Sequence, residues 1–202
     1  MHMVRPSAKL PRRTRARTTD LRGAERTATA AMALLEIRTI GDPVLDKVAE
    51  PVISIDDDLR KLLDDMVETM REAPGVGLAG PQVGVSRRIL VMEVDGVVYK
   101  VVNPRIVASE GRERCSEGCL SVPDVDGDVV RAARVTVEYL DETGTERSFQ
   151  GEGLLARCIQ HEIDHLDGIL FITKLGTAAR LLLKKRLTAM RRETKERLGL
   201  TG

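Results

Sequence analysis

Gln160-His161-Glu162-Ile163-Asp164-His165-Leu166-Asp167-Gly168 is the stretch that organises this chain. On an α-helix, residues four apart share a face, so His161 and His165 can present two imidazole nitrogens to one metal ion. Glu162 stands beside that face, where a carboxylate can take a proton from water that a divalent ion has acidified. The alternative is an ordinary amphipathic helix that carries two histidines. Against it, the chain has three histidines in all, and two fall here around a glutamate. A hydrolytic centre of this kind takes three protein ligands and keeps one position for water, so a third ligand is needed. Downstream, Glu193 and Glu196 sit among basic residues on an expected solvent-facing helix. Upstream, Glu117-Gly118-Cys119-Leu120-Ser121 offers a cysteine in a short loop between strand candidates. A thiolate is a strong ligand for an ion of borderline softness.

Working outward, the helix that bears the histidines should start near Glu152 or Gly153 and end at Leu166, with Leu155, Ile159 and Ile163 facing the core. A second amphipathic helix is expected over 56–72, with Leu59, Leu62, Leu63, Met66, Val67 and Met70 at helical spacing and acids in its first turn. Gly75-Val76-Gly77-Leu78-Ala79-Gly80-Pro81-Gln82-Val83-Gly84 follows. It lacks the Gly-Lys-Ser/Thr ending of a phosphate loop, and Pro81 interrupts any helix that would follow. An extended glycine-rich segment suits a different task, pairing with a peptide as an added strand.

Two β-rich runs around Asp95-Gly96 predict a hairpin over 88–102, closed by Asn103-Pro104. Further strands are expected at 105–109, at 129–140 and, after a turn at 141–144, at 146–150. A last helix over 177–198 carries an apolar stripe (Leu181, Leu183, Leu187, Met190) and a basic surface. The fold class is therefore α+β: antiparallel sheets around a central metal-binding helix, with a C-terminal helix.

Composition sets outer bounds. The 202 residues suffice for one domain with a real core; 42% are hydrophobic and 31% charged, as in globular chains. With no Trp, two Tyr and two Phe, the core must rest on aliphatic residues. No apolar run is long enough to span a bilayer, so no membrane role is expected. Three cysteines, Cys115, Cys119 and Cys158, fit a reducing compartment and thiols used for packing or ligation. Residues 1–33 form a basic extension, with eight Arg and Lys residues against Asp20 and Glu25, and no sustained hydrophobic period. Disorder is expected there. The extension reads as an organellar transit peptide, as a basic tail for nucleic acid, or as sequence upstream of a start at Met32; the last is preferred.

Taken together, Gly75-Val76-Gly77-Leu78-Ala79-Gly80-Pro81-Gln82, the segment Glu117 to Ser121 and the segment Gln160 to Gly168 resemble the three motifs of the peptide deformylase family. Order and spacing agree, and the resemblance covers residues 34–175, the expected catalytic domain, with 176–202 as a basic helix of the same domain. Members of that family are iron(II) enzymes that remove the N-formyl group from the initiator methionine of nascent chains. The resemblance implies a hydrolase in which metal-bound hydroxide attacks the formyl carbon and formate is released. It implies that Cys119, His161 and His165 hold one divalent ion, Fe(2+) by family and Zn(2+) equally suited to sulfur and imidazole donors. Glu162 becomes the general base and then the acid, and Gln82 with the backbone N–H of Leu120 stabilises the oxyanion.

Val76, Gly77 and Gly118 are expected to pair with the substrate peptide, a nascent N-formyl-methionyl polypeptide. Arg157, four residues before His161, is placed by helical geometry either along the methionine pocket or on the surface. The chain departs from the family at Gly80, where a second alanine is usual, and the loop is expected to be looser there. The basic C-terminal helix implies docking on ribosomes, and the location expected is cytoplasmic, or organellar if residues 1–33 are a transit peptide. Two other readings stand beside this one. A metalloprotease of another family would cleave internal peptide bonds, and a structural Cys-His-His metal knot would leave Glu162 without a task.

Overall fold

The computed structural model describes residues 33–200. Apart from Ala33, the basic extension lies outside the described residues. Helix α1 (Asp57–Glu72) begins where Asp56 accepts a hydrogen bond from the Leu59 backbone N–H, a capping contact that satisfies one free donor of the first turn. Strand β1 (Gly77–Ala79) and a short 3-10 turn at Gly80–Val83 follow. The chain then runs through β2 (Ile89–Val94), β3 (Val97–Glu110), β4 (Glu113–Cys119), β5 (Val122–Arg131), β6 (Arg134–Leu140) and β7 (Glu146–Glu152). Helices α2 (Gly153–Leu166) and α3 (Thr177–Arg197) complete it. Five strands form one antiparallel sheet in the order β1-β2-β3-β6-β7, and β4 pairs with β5 in a separate hairpin.

The alternation along β2 explains how two helices are held at once. Leu90, Met92 and Val94 pack with Val101, Val135 and Val137 against Ile159 and Ile163 of α2. Ile89 and Val91, on the opposite face, join Leu59, Leu63, Met66 and Met70 of α1. A strand covered on both faces reads as a continuous apolar run, which is how Ile89-Leu90-Val91-Met92 appears in the sequence. A third cluster joins Val122, Val125 and Val129 of the hairpin to Phe171, Leu175 and Leu187, and it includes Cys119.

Four expectations need correction. The strand expected at 105–109 is the second half of β3, which passes through Asn103-Pro104 by an irregular register between Val102 and Arg105. Asn103 takes φ 51°, a left-handed conformation that asparagine tolerates, and its side chain accepts from Val52 N–H and donates to Val52 C=O, both at 2.8 Å. The single strand expected at 129–140 is two strands in different sheets. Its break at Ala132 is completed by the Gln160 amide, which bonds both the N–H and the C=O of that residue at 3.0 Å. The loop expected around Cys119 is the end of β4. In α3, Leu187 is buried with Leu183 and Met190 against the third cluster, but Leu181 is 71% exposed, because it lies two residues, or about 200°, from the buried stripe.

Candidate metal and substrate site

Helix α2 is buried along most of its length, including His161 (3% exposed), Glu162 (2%) and His165 (1%). Their neighbours come from two directions. The β4 end supplies Cys119, and the turn after β1 supplies Gln82. The ligand atoms of Cys119, His161 and His165 lie within 4.8 Å of one another, with Cys119 Sγ 3.2 Å from His165 Nε2. Tetrahedral coordination with bonds of 2.0–2.3 Å requires donor separations of about 3.3–3.8 Å, so small side-chain adjustments make these three atoms a metal-binding face. Sulfur with two imidazoles is a donor set for zinc or iron.

Burial works against a charged His161, yet its interactions with Cys119 and Glu117 outweigh it and hold the imidazolium up to about 10. Burial pushes His165 down, with the charges of His161 and Arg131 adding to it, so that ring is neutral. A divalent ion held by these donors would displace the His161 proton, since a ligating imidazole is neutral. Burial also lifts the Glu162 carboxyl to about 7. Its Oε2 and the Nδ1 of His165 are buried with no hydrogen-bond partner among the described residues.

Behind the donors stands a buried ionic network that the sequence reading missed. His161 Nδ1 lies 2.9 Å from Glu117 Oε2, which leaves its Nε2 for the cluster. Arg131 grips Glu117 with two parallel bonds, Nε to Oε1 at 2.7 Å and Nη2 to Oε2 at 2.9 Å, and its Nη1 reaches Asp164. Lys174 covers the other Asp164 oxygen at 2.8 Å. Although burial opposes it, Arg131 and His161 hold the Glu117 carboxyl down at about 2. Such a carboxylate behind a ligating histidine fixes the ring's tautomer and orientation. In the sequence this network shows only as a Glu and an Asp inside the quoted motifs, and Arg131 falls within the strand expected at 129–140.

A pocket opens on the donors, lined by Gly75, Val76, Gly77, Gln82, Gly118, Cys119, Leu120, His161 and Glu162. Gln82 is held from both ends. Its Oε1 accepts from Ala79 N–H at 2.8 Å, which turns the amide N–H₂ toward Cys119 Sγ at 3.6 Å and Ser121 Oγ at 3.3 Å. Strand β1 is an edge of its sheet, paired only with β2. The Val76 carbonyl is engaged by Glu93 N–H at 2.9 Å, so by antiparallel alternation the N–H and C=O of Gly77 face the open edge. Gly77 must lack a side chain: a Cβ there would run into the Glu162 carboxylate and lie 2.8 Å from Cys158 Sγ. Around Gly80 the turn is tight, contrary to expectation, since a Cβ would meet the carbonyls of Val85 and Arg87 at 2.8 Å.

One expected participant, Arg157, stands apart from this pocket lining. Arg157 is 7% exposed, and its Nη1 lies 3.2 Å from Cys115 Sγ and 3.6 Å from Glu113. Cys115 is a free thiol of intermediate burial. Cys158 packs beneath β1, its thiol bonded to Val76 C=O at 3.4 Å and pushed well above the usual range by burial.

Comparison with known proteins agrees with this geometry. The family model for polypeptide deformylase matches residues 34–180. A peptide deformylase of Desulfitobacterium hafniense is 50% identical over 149 residues, covering 74% of this chain and 99% of that protein. The crystal structure of a peptide deformylase from Legionella pneumophila matches with a TM-score of 0.75 at 45% identity, over 79% of this chain and 96% of that one. The structure of Arabidopsis thaliana peptide deformylase 1B in complex with an inhibitor matches with a TM-score of 0.79 at 32% identity, over 82% and 95%. With the three donors gathered on α2 and β4 and the match running through both elements, the chain belongs to the polypeptide deformylase family of enzymes.

Proposed function

We propose that this enzyme removes the formyl group from the N-terminal formyl-methionine of newly made polypeptides by metal-dependent hydrolysis. The observation that carries the proposal is the convergence of Cys119, His161 and His165 beside the unpartnered Glu162 Oε2, on a pocket bounded by an open strand edge. Cys119, His161 and His165 would hold the ion, Fe(2+) by family and Zn(2+) by the same donor chemistry, and when bound it acidifies water and polarises a carbonyl. Glu162 takes the proton of the attacking water at Oε2 and returns it to the departing amine, a task suited to a carboxyl lifted toward neutrality. The Gln82 amide and the Leu120 backbone N–H donate to the formyl oxygen as it gains charge. Gly77 and Gly118 lie along the two walls where an extended peptide backbone would run, and Val76, whose carbonyl is already taken by Glu93 N–H, lines the pocket beside them. Formate release from formyl-Met-Ala-Ser, compared with acetate release from acetyl-Met-Ala-Ser, tests the reading. Release of formate alone is expected; cleavage of internal peptide bonds would favour the protease reading, and bound metal with no hydrolysis would favour the structural one.

Two residues sharpen the test. In Gly77→Ala the new methyl displaces the Glu162 carboxylate, so kcat should fall by about 10²-fold, the cost of misplacing a catalytic group by about an ångström. Steady-state kinetics on a variant with parental circular dichroism checks it. Arg157 is proposed to line the methionine end of the substrate site through its stem, although its guanidinium is engaged by Cys115 and Glu113. Arg157→Ala should then change the ratio of kcat/KM between formyl-Met and formyl-Leu peptides; an unchanged ratio would remove Arg157 from the pocket.

The basic helix α3 is proposed to dock on the ribosome, and the location proposed is the cytoplasm, or an organelle if residues 1–33 are a transit peptide. Among the described residues no helix is long and apolar enough to cross a membrane. Arg180, Lys184 and Lys185 are exposed on α3, whereas Leu187 closes the cluster that contains Cys119. Reversing those three charges therefore tests docking better than removing the helix. The salt dependence of ribosome binding should weaken by a log-log slope of about 2–3, and an unaltered slope would exclude α3.

A further inference from the structure

The backbone at Ala33 is received by a buried carboxylate. Ala33 N–H donates to Asp65 Oδ1 at 2.9 Å, and two residues on, Leu35 N–H donates to Thr69 Oγ1 at 3.0 Å. Thr69 in turn donates to the Asp65 carbonyl at 2.7 Å, so one turn of α1 is arranged as a cradle for an incoming chain end. Asp65 is 6% exposed, and its other oxygen is covered by Lys61 Nζ at 2.6 Å. Lys61 meets the carboxylate from the solvent side, so the oxygen that faces the incoming chain is met by one neutral amide. A charged donor at the same place forms a bond roughly twice as strong.

We propose that the mature protein begins at Ala33, with its free α-ammonium seated on Asp65. The family match begins one residue later, at Leu34. Residue 32 is methionine and residue 33 is small, the pair on which a methionine aminopeptidase acts. The step is hydrolysis of the Met32–Ala33 peptide bond. The C–N bond breaks, water supplies the new carboxyl oxygen, and the carboxyl proton passes to the new amine, leaving carboxylate and ammonium. An initiator Met32 would be removed this way alone; a translated segment 1–32 would be removed by an endoprotease cutting the same bond. The ammonium then completes a three-member ionic group with Asp65 and Lys61, and it fixes the first residues of the chain across α1.

The intact mass of the protein isolated from its own cells tests this directly. The mass of residues 33–202 is expected, and retention of any residue before Ala33 would overturn the proposal. A second measurement reads the seat itself. The α-amine of the chain that starts at Ala33 should react with an N-hydroxysuccinimide ester about tenfold more slowly than in Asp65→Asn, the factor that one pKa unit makes in the neutral fraction of an amine. Equal rates would remove Asp65 as its partner, while the mass result stands whether or not that variant folds.

Discussion

Glu162→Gln is expected to lower kcat for formate release by about 10²–10⁴-fold, the range that a positioned proton-transfer group contributes, while metal content stays at parental level. The substitution conserves shape and removes only the ability to take and return a proton. Glu162 makes no contact with Cys119, His161 or His165 among the hydrogen bonds of the site, and its Oε2 has no partner to lose. Burial already disfavours its charged form, so folding stability should be unchanged or slightly raised. Kinetics, metal analysis and denaturant unfolding on one preparation separate these effects. A variant that keeps activity within tenfold of the parent would mean that another group moves the proton, and the role assigned to Glu162 would fall.

Arg131→Met should be the most damaging single change to stability, by about 3–5 kcal/mol, because it strands two buried carboxylates that now share one guanidinium. Glu117 is fully buried and Asp164 nearly so, and their bonds to Arg131 are the inner ones of the network. Lys174, 36% exposed, still reaches Asp164 from outside, so the loss falls mainly on Glu117. Because Glu117 orients His161, the same variant should bind metal roughly 10–100-fold more weakly, the usual cost of losing a partner behind a ligand. Urea unfolding and a competition titration with a chelator measure the two effects. A stable variant with parental affinity would show that the network neither carries stability nor sets the ring.

What could be read from the sequence was local. The His161 to His165 spacing, the first-turn acids and stripe of α1, and the Asp95-Gly96 hairpin each depend on a few adjacent residues, and each is present as expected. What could not be read depends on long-range meeting. Arg131 joins Glu117 across 14 residues and Asp164 across 33, and nothing in a period-two pattern reveals that β5 leaves one sheet and β6 enters another. Asn103-Pro104 looked like a strand end because proline lacks a donor, yet the partner that makes the bulge stable is Val52, far upstream. Leu181 looked like core because four leucines and a methionine share a helix, and only the position of the third cluster tells which of them face inward.

The central claim is that one divalent ion on Cys119, His161 and His165 makes this chain a deformylase, and a metal titration tests it most directly. Protein freed of metal by chelation and handled without oxygen is given Fe(2+) or Zn(2+) in steps, and formate release from formyl-Met-Ala-Ser is followed at each step. The account predicts that activity rises from near zero in proportion to added metal and breaks at one equivalent, with Cys119→Ala abolishing the rise. Full activity in the chelated protein, or tight uptake of one equivalent with no formate released, would contradict it.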